Sequence, residues 1–227
     1  IHLSERRIDG LSQAEMQSVR GREIGAIFQD PLTSLNPLYT IAKQLIQTIQ
    51  THTDLNHRQA RAKALDLLRA VGIPSPEQRL DNYPHVYSGG MRQRIVIALA
   101  LAADPSLVIA DEPTTALDVS VQAQIIALLK SLCRERGTAC MLITHDMGVI
   151  AETADRVAVM YAGRLVEIGV VDAVINHPLH PYTQGLMGAI PPLKKKVERL
   201  SQIEGSMPQL NSIPTGCAFH PRCERST

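Results

Sequence analysis

Ser88-Gly89-Gly90-Met91-Arg92-Gln93-Arg94, followed 13 residues after Arg94 by Leu107-Val108-Ile109-Ala110-Asp111-Glu112-Pro113, limits the folds open to this chain more than any other stretch. A serine ahead of two glycines opens a helix, because its hydroxyl caps the first free N–H groups while the glycines leave the others unobstructed. The helix that follows, from about Gly89 to Ala102, is almost wholly apolar and therefore buried. Leu107 to Asp111 is brief and apolar, the composition of a strand covered on both faces, and it delivers two adjacent carboxylates at its end. Such a strand needs neighbours in a parallel sheet and helices on either side.

The rest of the chain supplies them. Ile24 to Gln29 reads as a short apolar strand that Asp30-Pro31 breaks, since proline lacks a donor and restricts the residue before it. Helices are predicted over Ile41–Gln50 and His57–Val71, the second from the spacing of Ala60, Ala64, Leu67, Leu68 and Val71, with Gly72 and Pro74 ending it. Val121, Ile125, Leu128, Leu129 and Leu132 mark one face of another helix, and Cys140–Thr144 is the next strand. A helix over Met147–Thr153 precedes two runs, Arg156–Tyr161 and Arg164–Gly169, joined as a hairpin by Ala162-Gly163. The fold class is α/β with a mainly parallel sheet: residues 1–40 and 104–192 form a core, 41–103 an inserted helical region, and 193–227 a C-terminal extension. Lys194-Lys195-Lys196, Pro208, Pro214 and Pro221 give that extension no periodicity, so it is expected to be extended or partly disordered.

Composition removes several classes of function. Lys plus Arg number 23 against 22 Asp plus Glu, a formal net charge of +1 without the global basic footprint of a nucleic-acid binder. Runs such as Ile95–Ala103 fall well short of the about 18 apolar residues of a membrane span, and Glu5, Arg6, Arg7, Asp9 and Glu15 stand where a secretory signal would be apolar. The expected compartment is the cytosol. Cys133 and Cys140 fall in apolar patterns and read as small buried thiols.

Chemistry concentrates at strand ends. In an open α/β sheet the ligand crevice lies at the carboxyl ends of the strands, where Asp111, Glu112, His145 and Gln29 all emerge. One of two consecutive carboxylates can serve a metal ion or its water while the other polarises an attacking water; two solvated acids capping a strand are the alternative. His145 at the neighbouring strand end can donate to a terminal phosphate. Gln29 can complete a metal shell or position water. Ser88-Gly89-Gly90 presents N–H groups to an anion or forms an ordinary cap, and Arg92 and Arg94 oppose the helix dipole and so point to contacts.

In this order the pieces resemble the ATP-binding cassette (ABC) family over roughly the first 190 residues. Gln29 matches its Q-loop, Ser88 to Gln93 its signature sequence, Leu107 to Glu112 its Walker B strand, Ala116-Leu117-Asp118 its D-loop and His145 its switch histidine. The resemblance implies a P-loop NTPase core with ATP and Mg2+. Asp111 and Gln29 would serve the metal, Glu112 and His145 would be catalytic, and Ser88, Gly89, Gly90, Gln93 and Asp118 would contact nucleotide, Ser88 to Gly90 on the γ-phosphate held by an opposite subunit. Asp30 to Pro37, Met91, Asp118 to Gln122 and His180 to Thr183 resemble the importers of peptides, nickel or glutathione. That implies membrane permease subunits and a second ATPase subunit as partners, a solute-binding protein indirectly, no nucleic acid, and a peripheral place on the cytoplasmic face of the inner membrane. The tail around Cys217 and Cys223 resembles a Cys-rich extension reported to hold an iron–sulfur cluster in some members; two cysteines fall short of the about four thiolates a cluster needs, so none is expected.

One departure stands out: no G-x-x-x-x-G-K-[ST] phosphate loop occurs in the chain. That loop wraps backbone N–H groups and a lysine around the β- and γ-phosphates. Without it the chain is expected to lack activity alone and to leave apolar strand flanks uncovered. It is either a fragment, which the start at Ile1 favours, or the product of a disrupted reading frame. A vestigial or regulatory module that does not hydrolyse ATP is the alternative reading. A cassette ATPase acting on DNA or ribosomes would carry a coiled-coil insertion or a second cassette, and neither is present.

Overall fold

The computed structural model describes residues 1–115, 117–190, 202–209 and 211–226. They divide into two compact units, Ile1–His145 and Asp146–Thr227. The first opens with a two-residue hairpin, β1 (His2–Leu3) and β2 (Arg6–Arg7), and a helix, α1 (Gln13–Val19). Ser12 and Glu15 cap α1 reciprocally, each side chain bonding the other's backbone N–H. Then come β3 (Ile24–Ile27), a single turn α2 (Pro31–Ser34), α3 (Ile41–His52), α4 (His57–Ala70), a turn α5 (Pro76–Arg79) and α6 (Gly89–Ala100). The unit closes with β4 (Leu107–Asp111), α7 (Val119–Arg136) and β5 (Ala139–Ile143).

β3, β4 and β5 form a parallel sheet in that order, with Ile27 opposite Ala110 and Asp111 opposite Ile143. One apolar cluster runs from the sheet (Ile27, Val108, Ala110) through α6 (Ile95, Ile97, Ala98) into α3 and α4 (Leu45, Ile49, Leu68) and α7 (Ile125, Leu129). The inserted helices and the sheet thus share one core. Helix starts follow their caps: Thr40, Asn56, Ser88 and Asp118 each accept from a backbone N–H three residues on. β5 pairs with β4 alone among the described residues, and Met141 and Ile143 stand 49% and 43% exposed along it. Cys140 is exposed rather than buried as expected, because this strand lies at the sheet's edge; Cys133 is in the core.

The second unit contains α8 (Met147–Thr153), the antiparallel pair β6 (Arg156–Tyr161) and β7 (Arg164–Val170), α9 (Val171–Asn176) and α10 (Pro181–Gly188). Ala162 and Gly163 both take positive φ, 47° and 75°, as a two-residue hairpin turn requires. A Cβ on Gly163 would meet no atom within 4 Å. Gly163→Ala is therefore expected to lower stability through backbone strain alone, by roughly 1 kcal/mol, read as a shift in urea midpoint. Over the described part, the tail carries little regular secondary structure and is anchored by its side chains. Phe219 packs edge-on to Tyr161 at 5.2 Å and against Tyr182 at 5.5 Å, and the Arg222 guanidinium donates to the carbonyls of Ile203 and Glu204 at 2.8 and 2.7 Å. Aromatic burial anchors a segment whose own composition is poor in apolar residues. Lys194-Lys195-Lys196 lies outside the described residues.

Candidate active site

Parallel pairing brings three strand ends to one edge of the sheet. Gln29 stands two residues beyond β3, Asp111 closes β4 with Glu112 next, and His145 stands two residues beyond β5. The Glu112 N–H donates to the Ile143 carbonyl at 2.9 Å, extending the β4–β5 ladder by one bond. Glu112 then turns sharply, with φ at +44°. A left-handed conformation disfavours a residue with a Cβ by about 1–2 kcal/mol, so the surrounding contacts hold it there.

Those contacts converge on its carboxylate. Thr115 Oγ1 donates to Oε2 at 2.8 Å and Gln29 Nε2 donates to the same oxygen at 3.1 Å, while His145 Nδ1 lies 3.1 Å from Oε1. The Thr115 hydroxyl, and after it the His145 ring, hold the Glu112 carboxyl below the usual carboxylate range. An ionised Glu112 accepts only, so in this bond His145 Nδ1 carries a proton and donates. Asp111 is exposed, and its carboxylate makes no hydrogen bond or ion pair among the described residues. Gln29, Asp111, Glu112 and His145 are thus gathered at one edge, as their strand positions suggest. Thr115 was not singled out by sequence reasoning; a threonine three residues after a turning acid is the signal that finds it.

A second patch forms at the start of α6. Ser88 caps that helix, its Oγ 3.4 Å from the Met91 N–H, and Ser88 and Gly89 are exposed. A Cβ on Gly90 would sit 2.9 Å from Val121 Cγ1, so this glycine allows α6 to lie close against the first turn of α7. Asp118 caps that turn, accepting from the Val121 N–H at 3.0 Å. Ser88, Gly89, Gly90 and Asp118 therefore share one region, and no hydrogen bond among the described residues links them to Glu112. Ala116 lies outside the described residues. Arg92 and Arg94 do make contacts, with the carbonyls of Pro84 (3.0 Å) and Val71 (2.8 Å).

Gln93 departs from the expectation of a nucleotide contact. It is fully buried, with neither amide atom hydrogen-bonded. One helical turn before Ile97, it lies on a face that packs into the core, so its side chain is not presented to a ligand in this conformation.

Comparison with known proteins fixes the family. A sequence model described as "ABC transporter" matches residues 1–115, and one described as "Oligopeptide/dipeptide transporter, C-terminal region" matches residues 166–227. The oligopeptide transport ATP-binding protein AppD of Bacillus subtilis (strain 168) is 46% identical over 226 residues, covering 100% of this chain and 69% of AppD. The chain belongs to the ABC transporter family. Two further B. subtilis relatives of this ABC chain are the oligopeptide transport protein OppD, 54% identical across 92% of the chain, and the dipeptide transport protein DppD, 51% across 94%. The chain spans 59% of OppD and 64% of DppD. Among solved structures, the dimeric post-hydrolysis state of the cassette MJ0796 bound to ADP and Pi superposes with TM-score 0.65 at 27% identity, covering 75% of this chain and 72% of that one. CbiO1 from Clostridium perfringens gives 0.68 at 27% identity, over 78% and 67% of the two chains. Those neighbours identify the fold as an ABC ATPase cassette with a P-loop NTPase core. The C-terminal match begins at Val166, inside β7, so the family's C-terminal region includes part of the hairpin as well as the tail. Among the described residues no group of three or more His, Cys, Asp or Glu is placed to hold a metal ion, and no helix is long and apolar enough to cross a membrane.

Proposed function

We propose that this chain supplies the hydrolytic strand ends of an ATPase subunit that powers import of peptides through a membrane permease. The observation that carries the reading is the threefold hold on Glu112 by Gln29, Thr115 and His145 at the end of a buried parallel strand. A carboxylate kept ionised and fixed in direction accepts a hydrogen bond from an attacking water and sets its line of approach. Its lowered proton affinity makes it an orienting acceptor more than a strong base. With both ring nitrogens protonated, His145 donates from Nδ1 to Glu112 and from Nε2 to the terminal phosphate. The oxygen donors fit Mg2+: the Asp111 carboxylate is unengaged, and Gln29, whose amide nitrogen is turned to Glu112, has its carbonyl free. Held by Asp111 and Gln29, the ion would supply positive charge to offset that developing on the transferring phosphoryl group.

Ser88, Gly89 and Gly90 act on the nucleotide of a second ATPase subunit, with Asp118 beside them. The loop after Gln29 and the inserted helices face the permease, a solute-binding protein supplies cargo indirectly, and the subunit lies on the cytoplasmic face of the inner membrane. Peptide is favoured over nickel or glutathione because AppD, OppD and DppD are named for oligopeptide and dipeptide transport.

With no phosphate loop in its sequence, this chain alone is expected to show no ATP turnover. Joined in frame to a segment bearing G-x-x-x-x-G-K-[ST], it is expected to bind Mg-ATP, measured by isothermal titration. Turnover by the unextended chain, or no nucleotide binding by the extended one, overturns this reading.

A further inference from the structure

Glu112 is held by three groups, and the shortest of those bonds comes from a residue outside every motif that marks the site. We propose that Thr115 is a positioning residue for hydrolysis: its hydroxyl fixes the direction of the Glu112 carboxylate between Gln29 and His145. The proposal rests on the reading of Glu112 as the group that orients the attacking water.

Thr115 is built into its place. The Leu117 N–H donates to the Thr114 carbonyl at 3.0 Å, and the Gln122 side-chain amide reaches back from α7 to the carbonyls of Thr114 and Leu117 at 3.0 and 3.1 Å. Those bonds pin the backbone on both sides of Thr115. The Thr115 N–H donates to the Glu112 carbonyl at 3.3 Å, closing a turn that the left-handed φ of Glu112 begins. Thr115 Oγ1 lies 3.3 Å from that carbonyl but 2.8 Å from Glu112 Oε2, so its single proton goes to the carboxylate. Gln29 and His145 reach Glu112 from beyond the ends of other strands; among the described residues, Thr115 alone holds the carboxylate from the same short loop. It is the one partner of Glu112 that stays in place when Gln29 or His145 engages a ligand.

The test uses the protein extended by a phosphate-loop segment, with Thr115→Val, Thr115→Ser, Glu112→Gln and the Thr115→Val/Glu112→Gln pair. Thr115→Val is expected to lower kcat by roughly tenfold or more, in line with the effect of removing groups that orient a catalytic ligand. KM for ATP stays within about twofold, since ground-state binding is untouched. Thr115→Ser restores most of kcat, and in the Glu112→Gln background Thr115→Val has no further effect. If Glu112→Gln leaves turnover intact, the reading of the site fails and this proposal with it. If Glu112→Gln abolishes turnover while Thr115→Val keeps wild-type kcat, or changes only KM, the positioning role alone is overturned. Should Thr115→Val fold poorly, 13C NMR of the Glu112 γ-methylene in the Thr115→Ala variant gives the same decision. Loss of the fixed rotamer supports the proposal and an unchanged rotamer overturns it.

Discussion

Glu112→Gln, placed in a form of this ABC subunit that carries a phosphate loop, is expected to cut ATP turnover by on the order of 10²–10⁴ while Mg-ATP still binds. The substitution keeps the shape of the side chain and most of its bonds. The new amide oxygen accepts from Thr115 and Gln29, which now bond Oε2, and the new NH2 group faces His145 Nδ1, which turns from donor to acceptor. The left-handed turn at residue 112 therefore survives, and thermal stability should be unchanged within about 1 kcal/mol. What disappears is a negative charge aimed at the attacking water. Phosphate release under saturating Mg-ATP, set beside a nucleotide titration, separates the two effects. A variant that hydrolyses ATP at the wild-type rate, or that no longer binds it, removes Glu112 from the role proposed.

Acid acts on the same group with a defined sign. The Thr115 hydroxyl and the His145 ring favour the ionised form of Glu112, so its pKa is lower folded than unfolded. The stabilisation from these bonds is complete above the ordinary carboxylate range and is lost as pH falls through the lowered value. Turnover is thus expected to stay insensitive to Glu112 protonation at neutral pH and to fall only in acid.

Sequence carried the elements further than it carried their surroundings. The end of β4 is legible because its short apolar run closes on an acid, whereas β5 stops at Ile143, one residue before the expected Thr144. β3 stops at Ile27, two residues before the expected end, and Gln29 uses that freedom to reach Glu112 from beyond the strand. α1 carries an S-x-x-E capping box at Ser12 and Glu15, a signal present in the sequence and left unread. The family resemblance implies a nucleotide contact for Gln93, yet a motif match does not reveal which face of an apolar helix turns inward. Likewise, an edge strand and a buried one share the same apolar composition, so the exposure of Cys140 follows from pairing alone. The tail's anchor joins Phe219 to Tyr161, 58 positions earlier (219 minus 161), and no local pattern encodes a contact of that range.

Gly25→Ala is expected to lower stability by about 2–3 kcal/mol, the upper part of the range for overpacking a close-packed interior. Gly25 is buried in the middle of β3, opposite Val108. Glycine in a strand interior weakens it, so an alanine with room would raise stability by roughly 0.5–1 kcal/mol. Here there is no room: an added Cβ would lie 2.2 Å from the carbonyl oxygen of Ala100 and 3.3 Å from Pro105 Cγ. Ala100 is the last residue of α6, and backbone cannot rotate aside as a flexible side chain can. The end of α6 has to withdraw from β3 by about 1 Å to restore van der Waals contact. That displacement separates the two elements that position the site, since β3 leads to Gln29 and Ser88 caps α6. Urea unfolding reads the loss, and the Gln29 side-chain amide resonances report whether the 3.1 Å bond to Glu112 has lengthened. A neutral or stabilising outcome means that α6 does not approach β3 this closely. The predicted sign follows from one carbonyl oxygen, because that contact sets how near the helix bearing the Ser-Gly-Gly turn lies to the strand bearing the glutamine.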